Sequence, residues 1–259
     1  MVKKLTLLIQ SLIRSPEEFF DRTEAIITAR IEKYINYKLN LNPVSAKKSL
    51  RLIFEFLKSD IDLGEIHQFE SELLIRMQSL EKVAPFSTKH HGDLSLGRIC
   101  YVICRLLEPE VVVETGVAYG VTTSYILKAL DINKKGKLYS IDLPPLGKDA
   151  DSFVGYLVPD NLKSRWTLHR GTSKRVLPTI LPIIKQVDVF IHDSLHTYWN
   201  IRRELKLITP YLSKPSAVIA DDIHGNKAFM EWIEQIKPDF WFAFKEEGKD
   251  SVGGVAIFK

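Results

Sequence analysis

The run Val111-Val112-Val113-Glu114-Thr115-Gly116-Val117-Ala118-Tyr119-Gly120 constrains this chain more than any other. Three β-branched residues end in an acid, a turn with two glycines follows, and Val121 to Leu127 reads as a helix. Branching at Cβ stiffens the side chain and suits a pleated surface, so the valines predict a strand. A strand that passes through a glycine turn into a helix builds a ligand site at the carboxyl edge of a parallel sheet. Glu114 narrows the ligand. A phosphate cradle offers backbone N–H groups at a helix N-terminus and avoids fixed negative charge. A ligand bearing a cation or hydroxyls is therefore expected in place of a pyrophosphate.

From about residue 93 the pattern alternates between strands and helices. A helix over Ser95 to Leu107 precedes the strand Val111 to Glu114, and a helix over Val121 to Leu130 leads to the strand Lys137 to Asp142. Further strands are expected at Trp166 to His169, Val187 to His192 and Ala217 to Ala220, with helices at about Thr197 to Ile208 and Asn226 to Ile236. Phe240 to Lys245 and Val255 to Phe258 close the chain without an intervening helix. The pattern predicts an α/β fold: a Rossmann-like, doubly wound sheet of seven strands, mostly parallel, with a C-terminal antiparallel hairpin.

Residues 1–92 read as an N-terminal helical accessory region, and residues 93–259 as the ligand-binding domain. Ser15-Pro16-Glu17-Glu18 is a helix start, with Ser15 as cap, Pro16 in the first turn and Glu18 closing a capping box. Phe20, Ile27, Ile31, Tyr34 and Ile35 form a first apolar stripe, ended by Asn42-Pro43. Leu50, Ile53, Phe54 and Leu57 form a second, and Ile66, Phe69, Leu73, Met77 and Leu80 a third. These faces need a partner, either the rest of the chain or a second subunit, which leaves room for a homodimer through the N-terminal helices.

With 259 residues, 45% of them hydrophobic, the chain can bury one sizeable core and an accessory region. A formal net charge of +4 without a dense basic block speaks against nucleic acid as a partner. No apolar run approaches the roughly 20 residues of a membrane span. At the N-terminus, Leu5, Leu8, Ile9 and Leu12 mark a helical face, while Gln10, Ser11 and Arg14 interrupt what would be a signal-peptide core. A cytoplasmic protein is expected. The two cysteines, Cys100 and Cys104, stand one helical turn apart and read as reduced core thiols.

A second acid, Asp142, ends Leu138-Tyr139-Ser140-Ile141-Asp142, 22 residues past Gly120. That is the usual interval for a carboxylate that accepts hydrogen bonds from ribose hydroxyls. With these residues the chain resembles class I S-adenosylmethionine-dependent methyltransferases. Within them it is similar to the small O-methyltransferase-like families that include macrocin-type sugar methyltransferases and cephalosporin hydroxylase-like proteins. Further matching segments are Gly171-Thr172-Ser173, Val189 to Tyr198, Ala220-Asp221-Asp222 and Gly253 to Ile257, so the likeness runs from about residue 84 to the end. One departure is Ala118, where many of these enzymes carry a glycine. The absence of a G-x-G-x-x-G pattern weakens a nicotinamide-linked oxidoreductase as the alternative. A non-catalytic scaffold that keeps the cofactor fold is a second alternative.

The resemblance implies a role for each residue. Glu114, Thr115, Gly116, Tyr119 and Gly120 would surround the amino-acid part of S-adenosylmethionine, with Glu114 acting on its ammonium indirectly. Asp142 would bind the ribose, and Gly171, Thr172 and Ser173 would border the adenine. Asp193 would face the cofactor or a metal. Asp193, Asp221 and Asp222 suit Mg²⁺ or another hard cation, with Asn226 as a weaker fourth ligand. Equally, Asp222 could cap the next helix and Asp221 orient a loop amide. His196, beside Asp193, could be the general base on a hydroxyl, because imidazole titrates near neutral pH, or simply a helix-start histidine. His90 and His91 lie in a loop ahead of the sheet and read as solvated or substrate-facing. The expected partner is a small-molecule acceptor carrying a hydroxyl, a sugar or secondary metabolite by family analogy, with an amine acceptor still open.

Overall fold

Alternate residues of the central strands point to opposite faces, and here both faces are buried. In the computed structural model, which describes residues 12, 15–35, 37, 39–88, 94–147, 149–245 and 250–259, these strands form one sheet. The strands are β1 (Val44–Ser45), β2 (Val111–Thr115), β3 (Lys137–Asp142), β4 (Trp166–Arg170), β5 (Val187–His192), β6 (Leu212–Ala220), β7 (Phe240–Lys245) and β8 (Val252–Phe258). The helices are α1 (Pro16–Glu32), α2 (Ala46–Leu57), α3 (His67–Leu80), α4 (Leu94–Leu107), α5 (Val121–Asn133), α6 (Ser173–Ile184), α7 (Tyr198–Ile208) and α8 (Ala228–Ile236). The strand order is β1-β7-β8-β6-β5-β2-β3-β4, with β8 antiparallel to both neighbours and every other pair parallel. The expected Rossmann-like sheet and its closing hairpin are present.

Two elements depart from the sequence expectation. The sheet has eight strands rather than seven, because Val44–Ser45 pairs with Phe244–Lys245 at one edge. Two residues are too few to carry an alternating pattern. Helix α6 was not anticipated either, since Pro178 and Pro182 lie inside it. Each proline removes a backbone donor, which reads as a broken helix in sequence. Buried Leu177, Ile180 and Leu181 nevertheless hold the segment against the sheet.

Strand residues divide between two layers. Val112, Val189, Ile191, Ala217, Ile219, Val255 and Ile257 face α2 to α5. Val113, Phe190, Val218, Ala220, Ala256 and Phe258 face α6 to α8. Ile53, Ile66, Phe69, Leu73 and Leu80, from the second and third stripes, join the first layer, so α2 and α3 share a core with the sheet. Cys100 and Cys104 are free thiols buried in that layer, and burial pushes both up.

Helix α1 behaves otherwise. Ser15 Oγ accepts from the Glu18 N–H at 3.4 Å, as its cap motif predicts. Its apolar stripe, however, faces outward: Phe20 is 61% exposed, Ile27 50%, Ile31 58%, Tyr34 89% and Ile35 45%. The face expected on Leu5, Leu8 and Ile9 lies outside the described residues, as do His90 and His91. Among the described residues no helix is long and apolar enough to cross a membrane.

Gly97 of α4 makes the close crossing of α4 and α5 possible. A Cβ there would collide with the ring of Tyr125, which is buried and donates from its hydroxyl to Glu70 at 2.8 Å. Gly97→Ala is expected to destabilise by about 1–3 kcal/mol through overpacking, despite the better helix propensity of alanine. A fall of several degrees in the melting midpoint, read by circular dichroism, would verify this.

Candidate active site

Sheet register sets the site. Thr115 of β2 lies level with His192 of β5, and His192 with Ala220 of β6. The next residues continue the ladder: Gly116 N–H donates to Ile141 O at 2.9 Å, Asp193 N–H to Thr115 O at 2.8 Å, and Asp221 N–H to His192 O at 2.8 Å. Gly116, Asp142, Asp193 and Asp221 therefore meet at the carboxyl edge, where the strand order reverses between β2 and β5 and ligands of such sheets bind. Gly116 is obligatory there. Its φ is +86°, and a Cβ would collide with the Asp193 carbonyl.

The turn after β2 is held from outside. One Asp142 oxygen, Oδ2, accepts from the N–H groups of Val117 and Ala118, both at 2.7 Å. Ala118 has φ +47°, so alanine occupies the left-handed conformation that glycine takes more readily. Burial raises the Asp142 carboxyl above its ordinary value. Among the described residues its other oxygen, Oδ1, accepts no hydrogen bond.

Glu114 is placed differently from its expected role. It is fully buried, and both its oxygens are engaged by hydroxyls: Thr123 Oγ1 at 3.0 and 2.9 Å and Ser140 Oγ at 2.7 Å. Burial pushes it up to about 8, so it is largely protonated at neutral pH. The fixed negative charge from which a cationic ligand was argued is thus absent, and Glu114 ties β2 to β3 and α5 instead. Thr115 and Tyr119 are also interior. Thr115 Oγ1 donates to Glu204 at 2.7 Å, while Tyr119 stacks on Phe86 at 4.0 Å and donates to its carbonyl at 2.6 Å. Ser173 is buried and turned towards Asn200.

Past β5 and β6, charged groups cluster. His196 Nδ1 lies 2.9 Å from Asp222 Oδ2, and Nε2 lies 3.7 Å from Asp193 Oδ1. Nε2 is buried and makes no hydrogen bond. Burial opposes a charge on His196, but Asp193 and Asp222 outweigh it and push the imidazole up to about 10. An imidazolium cannot take a proton from a hydroxyl, which speaks against the expected base role. Burial and the charge of Asp193 raise Asp221 to about 7.

Ligand atoms of Asp193, His196 and Asp221 lie within 4.8 Å of one another. Asp222 is not in that group; it pairs with His196 and accepts from Ser251 Oγ. Nor does it cap a helix by its side chain. Asn226 is not a ligand either: its Oδ1 accepts from the Ala228 N–H and its Nδ2 donates to His196 O.

Residues 113–223 match the family model of a methyltransferase domain. No curated protein matches the chain. Among solved structures, an O-methyltransferase from Bacillus cereus in complex with SAH is 12% identical, covering 72% of this chain and 90% of that one, with a TM-score of 0.58. TomG from Streptomyces achromogenes, an O-methyltransferase involved in tomaymycin synthesis and in complex with SAM, is 13% identical over 86% of this chain and all of that one (100%), with a TM-score of 0.56. The SAH-bound methyltransferase PaMTH1 from Podospora anserina is 12% identical over 77% and 98%, with a TM-score of 0.53. At such identities the likeness is one of fold.

Two features around this site escape sequence reasoning. The first is Glu204, fully buried, which accepts from Thr115 Oγ1, His192 Nδ1 and Ser194 Oγ, each at 2.7 Å. Burial would raise its carboxyl, but His192 and the hydroxyls hold it well below the usual range. The readable signal was an acid on the apolar face marked by Ile201, Leu205 and Ile208. The second is α1, which runs along the rim of the mouth. Arg22 donates to Pro144 O at 2.7 Å, Asp21 accepts from Thr172 Oγ1 at 2.9 Å and binds Arg175, and Glu32 accepts from the Tyr198 N–H at 2.5 Å. Thr172, expected at the adenine, is thus engaged by α1. Gly171 donates its N–H to Asp142 O at 2.8 Å and stays at the rim.

Glu114 makes stability depend on pH. Its folded value lies above its unfolded one, so its contribution is complete below about pH 4.5 and is lost as pH rises towards 8. Glu114→Gln keeps the shape without the charge. Its melting midpoint is expected to fall less than that of the parent protein between pH 5 and 8, the difference amounting to a few kcal/mol in stability. Parallel pH–melting curves would refute this.

Proposed function

We propose that the chain is an S-adenosylmethionine-dependent methyltransferase that transfers a methyl group to a hydroxyl of a small molecule. The observation that carries this is the convergence of Asp142 Oδ1 and the Asp193–His196–Asp221 group at the carboxyl edge, within the segment that matches a methyltransferase domain. When bound, S-adenosylmethionine supplies an electrophilic methyl group. Asp142 Oδ1 would accept from the ribose hydroxyls while Oδ2 keeps the loop in place. Gly116, Gly120 and Gly171 would shape the backbone around the ligand, Thr172 would border the adenine, and Asp193 would face the cofactor. The helical region before residue 93 is an accessory wall to this mouth, and two copies pair through it. The acceptor is a sugar or secondary metabolite, as in macrocin-type enzymes, and the cytoplasm is the proposed location.

A divalent cation fits the cluster. Asp193 and Asp221 offer oxygens and His196 offers the unbonded Nε2, while Asp222 on Nδ1 fixes the ring, an arrangement common behind metal-ligating histidines. A nitrogen in the set favours a transition dication such as Mn²⁺ over Mg²⁺. Such an ion lowers the pKa of an acceptor hydroxyl.

Calorimetric titration with S-adenosylmethionine tests the first reading. Asp142→Asn keeps an acceptor for the loop but loses the carboxylate, and is expected to weaken binding at least about tenfold at unchanged melting temperature. Failure of the parent protein to bind the cofactor would end the methyltransferase reading. For the cation, Mn²⁺ is expected to raise the melting temperature of the parent protein but not of Asp221→Asn, and to bind better than Mg²⁺ by titration. Equal melting shifts in both proteins would exclude the site.

A further inference from the structure

Helix α1 presents its polar side to the protein and its apolar side to solvent. Inward lie Glu18, Asp21, Arg22 and Glu32, each bound to the body of the fold. Outward lie Phe20, Ile27 and Ile31, with Tyr34 and Ile35 in the turn just past the helix end, and none of the five belongs to either buried layer. Taking roughly 150–250 Å² for each full side chain, their exposures sum to on the order of 500 Å² of apolar surface. That is near the top of what a lone domain carries. It also equals the apolar share of one side of a standard interface of about 800 Å² per partner.

The order of residues on this face is symmetric about Ile27. Phe20 and Tyr34 stand seven places to either side, and Glu24 and Arg30 three places to either side. The intervals Phe20–Ile27–Ile31 are seven and four, the spacing of a helix–helix seam, and Tyr34 follows in the turn that ends α1. In an antiparallel pair about a two-fold axis at Ile27, Phe20 meets an aromatic ring and Glu24 meets a guanidinium. Glu24 is half-exposed, with Lys174 at 2.5 Å from one oxygen and Arg203 at 3.8 Å from the other. The face continues into a groove of about 290 Å³ where Ile31 and Ile35 stand opposite Tyr198 and Trp199. The same two-fold brings Phe19 of the partner subunit level with Ile35 at that groove. A surface complementary to its own inverse is what an isologous dimer requires.

We infer that the outward face of α1 binds a second copy of this chain, antiparallel, with Ile27 on the two-fold axis. This supplies the contact for the pairing proposed above and does not depend on methyl transfer.

The symmetry makes a sharp test, because a residue on the axis meets itself. In the full-length protein, Ile27→Cys is expected to form a covalent dimer under mild oxidation. Ile26→Cys, also exposed but about 100° round the helix, is expected not to. Cys100 and Cys104 are fully buried and do not compete. By sedimentation the parent protein is expected at twice the single-chain mass. Ile27→Glu is expected to weaken association at least about a hundredfold with an unchanged circular dichroism spectrum. A parent protein that stays monomeric through the micromolar range overturns the inference, as does cross-linking at position 26 equal to that at 27. Monomeric protein that floats with phosphatidylglycerol vesicles would assign the face to a lipid surface and overturn it too. Calorimetry with S-adenosylmethionine on Ile27→Cys keeps the two readings apart, since cofactor binding there is expected whether or not the dimer forms.

Discussion

The carboxylate of Glu204 holds the mouth of this sheet together. It has no exposed surface, yet it accepts from the ends of two parallel strands, Thr115 and His192, and from Ser194 and Asn200 where the chain turns into α7. Parallel strands are joined laterally by backbone bonds that stop at their ends. Past the last rungs, at Gly116, Asp193 and Asp221, side chains must set the geometry, and here one carboxylate does so with donors on several sides. Asp193 lies between two of those donors in sequence, so its position follows from theirs. A carboxylate buried with several good donors is tolerable; one that lost His192 would be an uncompensated charge in the interior.

Glu114 shows the other solution to the same problem. It is as deeply buried as Glu204, but its partners are three contacts from neutral hydroxyls rather than an imidazole. Hydroxyls can donate or accept, so they suit a protonated acid as well as a charged one. The two residues end in opposite protonation states, one raised to about 8 and the other held low, because of what surrounds them and not because of depth. The consequence for the site is that the acid in the glycine motif serves as a brace, while Asp222, held low by His196, brings negative charge to the rim.

Much of this was legible in the sequence. The strand-turn-helix at Val111 to Leu127, the alternation beyond residue 93 and the closing hairpin all correspond to observed elements, because long apolar segments with clear punctuation leave few alternatives. Asp142, Asp193 and Asp221 were readable as strand-end acids at one edge. What could not be read is direction. Thr115, Tyr119 and Ser173 sit in the right motifs but turn inward, to Glu204, Phe86 and Asn200. Spacing along a chain does not tell which way a side chain leaves the backbone at an irregular turn. Asp222 illustrates this: at φ +51° it swings to His196 and Ser251, away from the position that its neighbour Asp221 occupies. Helix α6 was hidden by its prolines, and the short β1 by its length.

Helix α1 is fastened to the body by ion pairs and hydrogen bonds, and none of its apolar side chains belongs to either buried layer. The heat capacity of a protein rises when apolar surface meets water and falls when polar surface does. Lifting α1 away from its seat would uncover charged and polar groups almost exclusively. Its release would therefore lack the positive heat-capacity change of ordinary unfolding and would vary little with temperature, whereas dissolved salt, by screening the pairs, would govern it.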